Sequence, residues 1–438
     1  MRHTLLLLAV LAPFAVGCAA RAPRAPRPRV VLISVDGLWA RDLWRAESAG
    51  VRLPVLDSLR REGALAAGVI GSFPSVTYPS HTTIVTGVPP ARHGIYSNRR
   101  FLPPTDTTSV ELWYWDADSI RVPGLFEAAR VQGLKTAAVY WPVTAHHRSL
   151  DYNIPDAWDP WASDSVLVAL RRLGTPGLLD SLGALRAGEV TDSLRAHWTE
   201  KIVRRWDPDF VLLHLLDVDH WKHEQGPIGD SVWIVLRQAD RYIGGILAAL
   251  RAAPRATTVI VTSDHGFLPY VQELRVGVLL ARAGLVTLDT AGKVTAWDAA
   301  VLSNGGSVMI LPRDANHPGL EARIRAAIPD SLIGPGRPIR AVWPRDTITS
   351  LGGDPRALWA IDLNAGFYAT GGYRGPLLSR RGGGGHGYDP RRPELHAFFL
   401  ISGPGVRRGS APPLMRQTEI AEIVARALGL SGFGRRSR

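Results

Sequence analysis

Residues 30–37 read VVLISVDG: an uncharged run from Val30 to Val35 that passes without a break into Asp36 and Gly37. A short continuous apolar run ending in an acid and a glycine is the pattern of a strand covered on both faces, as in a parallel sheet flanked by helices. The pattern recurs at Phe210–Leu216 (FVLLHLL), which runs into Asp217 and Asp219, and at Thr258–Thr262 (TVIVT), which runs through Ser263 into Asp264. Helical patterns lie between. Pro54 opens one through Val55, Leu56 and Leu59 to Gly63, and another runs from Pro123 through Leu125, Phe126 and Ala129 to Gly133. A third, about 231–252, carries Ile234, Val235, Tyr242, Ile243, Ile246 and Leu250 on one stripe. Further strands are expected at Thr136–Trp141 and Ala397–Ile401, and a closing helix at Thr418–Leu430. This alternation predicts an α/β fold with a largely parallel central sheet and helices on both faces. The stretch between Gly266 and Gly384 has short strand and helix patterns of its own and reads as a smaller α/β insertion. The expected organisation is a core of 30–266 and 384–430, an insertion or cap at 267–383, and a basic tail at 431–438.

At roughly 100–200 residues per domain, 438 residues allow one large body with an insertion. Apolar residues at 46% and charged residues at 21% exclude a chain disordered throughout. The single cysteine, Cys18, excludes an internal disulfide and a CxxC zinc ribbon. The formal charge of +12 is almost all arginine, the lysines being Lys135, Lys201, Lys222 and Lys293. It is scattered over helices and loops, with no nucleic-acid recognition motif and no interleaving of basic and aromatic residues.

The N-terminus reads as an address. Arg2 and His3 precede an apolar run from Leu5 to Val16 and then Gly17-Cys18-Ala19-Ala20, the form of a secretory signal. The run is too short to cross a hydrocarbon core of about 30 Å. Ala15-Val16-Gly17-Cys18 resembles a bacterial lipoprotein processing box with alanine in the usual leucine position. Residues 1–18 are therefore expected to be a lipoprotein-type signal and Cys18 the lipidation site, with plain cleavage after Ala20 as the alternative. Residues 19–29 form a Pro/Arg tether. The expected location is exported, periplasmic or held at a bacterial membrane by the lipid alone.

Three strands ending in acids place Asp36, Asp217, Asp219 and Asp264 at one carboxyl edge, where open parallel sheets bind ligands. Carboxylates gathered there repel one another unless a cation neutralises them. Histidines accompany them: His220 and His223 near Asp219, His265 after Asp264, and His386 within Gly384-Gly385-His386-Gly387-Tyr388-Asp389. Aspartate with neutral imidazole suits zinc, or manganese or iron, better than magnesium or calcium. A second cluster, Phe73–His81 (FPSVTYPSH), puts Thr77 where Pro79 announces a helix start. Free N–H groups there suit an anion, and a metal would activate the hydroxyl; the plainer reading of such a threonine is an N-cap.

Taken together these residues resemble the nucleotide pyrophosphatase/phosphodiesterase (type I phosphodiesterase) family of the alkaline phosphatase superfamily. The resemblance runs from about Val30 to Leu430. It is strongest at Asp36-Gly37, at Phe73–Asn98 (FPSVTYPSHTTIVTGVPPARHGIYSN), at Asp219 with His223 and Gly226-Pro227, at Ser263-Asp264-His265-Gly266, and at Gly385-His386-Gly387-Tyr388-Asp389. It implies an alkaline-phosphatase-like core with Asp219, His223 and His386 on one zinc and Asp36, Asp264 and His265 on the other. Thr77 would be the nucleophile, facing or bridging the second metal. Asn98, with a backbone N–H near Tyr78, would hold a phosphoryl oxygen. The family often has glycine where Lys222 stands, which bears on the local loop and on access to the site. Of the remaining candidates, Tyr78 is the first choice to stack on a base or aryl leaving group, with Trp141 and Tyr152 also possible partners. His220 is expected near the ligands or on the surface, His81 and His93 as structural residues, and Asp217 and Asp240 as supports at most.

The resemblance implies two-step hydrolysis of phosphodiester or nucleotide pyrophosphate bonds through a phosphothreonine, in a small anionic substrate such as a nucleotide. Phosphomonoester hydrolysis, in which Lys222 or an arginine would supply an extra cation, and phosphonoacetate-type hydrolysis use closely related sites and stay open. A sulfatase would need a C/S-x-P-x-R setting that Thr77 lacks. The reading from another class is a non-catalytic, lipid-anchored anion-binding protein. Nothing in the sequence bears on oligomeric state.

Overall fold

The computed structural model describes residues 27–105, 112–157, 166–183 and 190–434. Cys18, the signal and the tail from 435 lie outside them, as do all but the last three tether residues.

The central sheet uses strands β1 (Arg29–Val35), β2 (Ala64–Leu65), β3 (Thr136–Val139), β4 (Tyr152–Ile154), β5 (Phe210–Leu215), β6 (Thr257–Thr262) and β7 (Phe399–Ser402) in the order β2-β7-β6-β1-β5-β3-β4. The pairs β6–β1, β1–β5, β5–β3 and β3–β4 are parallel, while β7 runs antiparallel to β6 and β2 antiparallel to β7. The core strands alternate between two apolar layers. Val31, Ile33, Val35, Val211, Leu213 and Leu215 face one layer, and Val30, Leu32, Phe210 and Leu212 the other. Burial on both sides is why the strands read as unbroken apolar runs.

The helices named here are α1 (Pro54–Glu62), α2 (Thr77–Thr86), α3 (Leu125–Val131), α4 (Asp192–Trp206), α5 (Asp217–Gln225), α6 (Asp230–Arg251) and α7 (Glu419–Leu428). Residues of α1, α4 and α6 fill the first layer, and residues of α2, α3 and α7 the second. Asp240, buried in α6, accepts the Val55 and Leu56 N–H groups at 3.2 and 2.8 Å, so it caps α1 and does not support a metal ligand. None of the described helices is long and apolar enough to cross a membrane.

Residues 267–383 contribute an antiparallel sheet (Ala299–Ser303, Ser307–Pro312, Trp359–Leu363, Ile339–Pro344) over an apolar cluster of their own. They also form a three-stranded sheet in which Leu268–Arg275 lies between Gly366–Thr370 and Leu378–Gly385. The last of these strands delivers His386 directly to the carboxyl edge of the core.

The register explains the convergence. Ser34 of β1 lies opposite His214 of β5 and Thr262 of β6, so the chain leaves all three strands at one level. Gly37 then turns with φ +68°, where an added Cβ would stand 2.5 Å from the Phe267 ring, and only glycine makes this turn without strain.

Candidate active site

Asp36 and Asp264 each engage one carboxylate oxygen with the protein and direct the other at their neighbours. Asp264 Oδ1 accepts the N–H groups of Gly37 and His265, both at 3.0 Å. Asp36 Oδ2 meets His214 Nε2 at 3.0 Å. The histidines behave alike: His386 Nδ1 is held by Ser75 O at 3.2 Å and His223 Nδ1 by Gly384 O at 2.9 Å, which turns both Nε2 atoms inward. These face each other at 3.1 Å and lie 3.5 Å (His223) and 3.7 Å (His386) from the Asp219 carboxylate. His265 Nε2 stands 3.1 Å from Asp264 Oδ2 and 3.6 Å from Asp36 Oδ1, and its ring stacks on that of His386 at 3.7 Å.

Two ligand-type groups result, Asp36/Asp264/His265 and Asp219/His265/His386, in each of which the donor atoms lie within 4.8 Å of one another. The first is the trio the resemblance implies. In the second His265 lies beside Asp219 and His386, with His223 against both. The fit to a metal is tested by hydrogen bonding: Asp36 Oδ1, Asp219 Oδ1, Asp264 Oδ2 and both His265 nitrogens are buried without a hydrogen-bond partner among the described residues. Buried unpaired carboxylate oxygens and imidazole nitrogens are costly. So many converging on one place is what a cation between them would resolve.

The electrostatics agree. Burial, then the neighbouring Asp264 and Asp219 charges, push Asp36 well above the usual carboxylate range. Burial would raise Asp264 too, but His265, His81 and His214 outweigh it and hold Asp264 well below that range. Burial, with His265 and His223 close by, keeps His386 neutral far below its ordinary value, the form that ligates.

The Thr77 turn docks on the His386 loop. Ser75 O accepts the Gly387 N–H at 3.0 Å, and the Ser75 hydroxyl donates to Tyr388 O at 2.8 Å. Val76 is extended, and Thr77 is the first residue of α2, nearly buried at 9% exposure. Its hydroxyl has no hydrogen bond to a described residue. One turn on, His81 Nδ1 meets Thr77 O at 2.8 Å and Nε2 meets Ser34 Oγ at 2.9 Å, a structural role linking α2 to β1.

Some expectations need correction. The backbone N–H of Tyr78 donates to Asn98 Oδ1 at 2.9 Å, so it orients the amide; the donor left is Asn98 Nδ2. The Tyr78 ring is only 3% exposed, packs beside Val143 and lies 5.2 Å from Trp113. It is part of an apolar cluster rather than an open stacking face. Tyr152 stacks on Trp206 at 4.7 Å and opens β4 opposite Ala137, at the strand end away from the site, so it does not serve the substrate. Trp141 is fully buried, edge-on to His81. Lys222 cannot offer a cation to a substrate: it is completely buried, with Nζ on Gly37 O at 2.8 Å and Asp42 Oδ2 at 2.5 Å. His220 is exposed. His93 is buried, with Nδ1 accepting from Ile95 N and Nε2 on Thr83 Oγ1.

Sequence reasoning missed His214 and Asp192. His214 anchors Asp36 from the penultimate position of β5; the signal was a lone imidazole in FVLLHLL, where both faces are covered. Asp192, at the start of α4, accepts the Leu216 and Asp217 N–H groups at 2.8 and 2.9 Å and so caps α5, the helix of Asp219 and His223.

A doubly covered parallel sheet, aspartates and histidines converging at its carboxyl edge and a threonine at a helix start together define a hydrolase of the alkaline-phosphatase-like class. The family model for type I phosphodiesterase / nucleotide pyrophosphatase matches residues 30–389, and the chain belongs to that family. Among curated proteins it is 23% identical over 448 residues to rat ectonucleotide pyrophosphatase/phosphodiesterase family member 7, covering 98% of this chain and 90% of that protein. It is 24% identical to mouse bis(5'-adenosyl)-triphosphatase enpp4, covering 92% of this chain and 78% of that protein. Among solved structures, mouse ectonucleotide pyrophosphatase/phosphodiesterase 5 superposes with a TM-score of 0.66 at 20% identity, over 92% of this chain and 95% of that one. An inactive threonine-to-alanine form of that mouse protein has been solved in complex with AMP. The chain is thus a hydrolase acting on phosphoric ester or anhydride bonds, with an alkaline-phosphatase-like fold.

Proposed function

We propose that the protein cleaves phosphodiester or nucleotide pyrophosphate bonds with Thr77 as nucleophile, at a centre of two metal ions, zinc being the first choice. The observation that carries this is the set of unpaired buried donor atoms of Asp36, Asp219, Asp264 and His265, gathered at the sheet edge onto which the Thr77 turn is docked. Such a pair of ions, when bound, would lower the pKa of an attacking hydroxyl and offset charge on attacking and leaving oxygens. The chain does the rest. The Ser75 contacts to Tyr388 and His386 hold the turn so that Thr77 Oγ1, free of hydrogen bonds to described residues, is presented at the mouth of α2. Its attack forms an O–P bond and releases the leaving alcohol or phosphate; water then breaks the phosphothreonine. Asn98 Nδ2, its amide oriented by the Tyr78 N–H, donates to a phosphoryl oxygen where charge develops. Lys222, withdrawn into the core, is not available to meet the second charge of a monoester, so an arginine would have to do so. An exported, lipid-anchored enzyme is part of the same reading, resting on residues 1–20.

The test is hydrolysis of bis(p-nitrophenyl) phosphate against p-nitrophenyl phosphate, with zinc, with chelator and with Thr77→Ala. Faster diester turnover, abolished by chelator and by the substitution while bound metal is retained, is the expected result. A Thr77→Ala protein keeping most of its activity would sink the mechanism.

A further inference from the structure

Lys222 and Asp42 form an ion pair with side chains 0% and 2% exposed, and neither is a ligand or a nucleophile. Buried pairs rarely add net stability, because desolvation offsets their attraction, so the position of this one is what needs explaining. Lys222 lies on α5 three residues after Asp219 and just before His223, on the same side of the helix as Asp219. Its Nζ crosses to the turn after β1, taking Gly37 O at 2.8 Å and Asp42 Oδ2 at 2.5 Å. Asp42 Oδ2 also accepts the Trp39 N–H at 2.9 Å, so the anion belongs to that same turn. The turn is tied on its other side to the end of β6: the Gly37 N–H donates to Asp264 Oδ1 at 3.0 Å and the Ser263 hydroxyl to Leu38 O at 2.6 Å.

We propose that Lys222 is a positioning residue: its ammonium fastens the helix that carries Asp219 and His223 to the turn that carries Asp36, and so sets the spacing between the two groups of ligand side chains. The inference rests on the metal-centre reading above. It accounts for the complete burial of this lysine beside a site it does not enter. Groups behind metal ligands typically alter metal affinity by about 10–100-fold when removed.

The experiment is zinc binding, by competition with a chromogenic chelator and by metal content after gel filtration, on wild type and on the double substitution Lys222→Met with Asp42→Asn. The double change removes both charges, so Asp42 is not left buried and unpaired. Thermal unfolding in chelator reports folding separately. A folded variant in which at least one zinc is bound about 10–100-fold more weakly, with kcat lowered more than KM is raised, is expected. A variant that folds only when zinc is supplied counts against the role, because zinc rescues any destabilised fold that binds it. A folded variant with wild-type affinity for both ions overturns it, and so does one that fails to fold with or without zinc, because the pair is then purely structural. Wild type that takes up no zinc sinks the metal-centre reading and this inference together; wild-type uptake matched by the variant sinks this inference alone.

Discussion

His93 should make the protein's stability fall with acid through a single, identifiable proton. The ring is 0% exposed at the end of the short Pro90–His93 helix. Thr83 Oγ1 donates to Pro79 O, so the contact from His93 Nε2 to that hydroxyl, at 3.1 Å, has the ring as donor. Nδ1 in turn accepts the Ile95 N–H at 3.1 Å. Both nitrogens are satisfied only in the neutral ring, and a proton on Nδ1 would face an N–H. Burial accordingly pushes the pKa from its ordinary 6.5 down to about 3. The folded value lies below the unfolded one, so the unfolded chain binds the extra proton first. The contribution is fully present above pH 6.5 and is lost as pH falls from there toward about 3. Each pH unit in that window removes about 1.4 kcal/mol, or about 3 kcal/mol between pH 7 and pH 4. That is a large part of a typical stability of about 5–15 kcal/mol. The assay is urea unfolding of wild type and His93→Asn at half-unit steps from pH 7 to pH 4, with chelator throughout so that metal release does not enter. Asparagine keeps an acceptor for Ile95 N but does not titrate. It should cost stability at pH 7, and the gap should narrow by about 3 kcal/mol at pH 4. Other buried histidines, such as His81 and His214, titrate in both proteins and cancel in the difference. Parallel stability–pH curves would refute the assignment of this proton to His93.

Asp240→Ala removes the acceptor for the Val55 and Leu56 N–H groups. It should lower the urea midpoint by an amount equal to about 1–3 kcal/mol with the m-value unchanged; a change under about 0.5 kcal/mol would mean that α1 is capped some other way. Tyr152→Ala removes the stack on Trp206 and should cost about 0.5–3 kcal/mol in stability. It should leave KM for bis(p-nitrophenyl) phosphate within about twofold, whereas a rise of several-fold would return Tyr152 to the substrate.

The parts of the site that were legible in the sequence are those whose chemistry is local. Asp36 and Asp264 each follow a strand whose interior is an uncharged, largely apolar run because it is covered on both faces. An acid at the end of such a strand has only the sheet edge to occupy. Three of these endings and a parallel topology suffice to place the carboxylates together; what the patterns did not show are the short strands β2 and β4, the antiparallel course of β7 and β2, and shifts of a residue or two at the boundaries. What could not be read is what holds each candidate ligand still. Asp36 is held by His214, 178 residues away, and α5 is capped by Asp192, 25 residues before Asp217. Those partnerships follow from register, and register is a property of the assembled sheet. A lysine in DVDHWKH likewise reads as solvated, because nothing near it in sequence reveals Asp42 waiting across the β1 turn. The aromatic residues failed for a related reason. A ring becomes a binding face only if one side stays uncovered toward the site; Tyr78 and Trp141 are buried among neighbours, and Tyr152 stacks on Trp206 at the far end of its strand. In this chain the donor atoms are written next to the strands that carry them, while their aim is set by residues distant in sequence. A donor with one atom anchored by the fold and the other left unpaired in the interior has its geometry fixed before any ion arrives, and that state is visible only once the chain is folded.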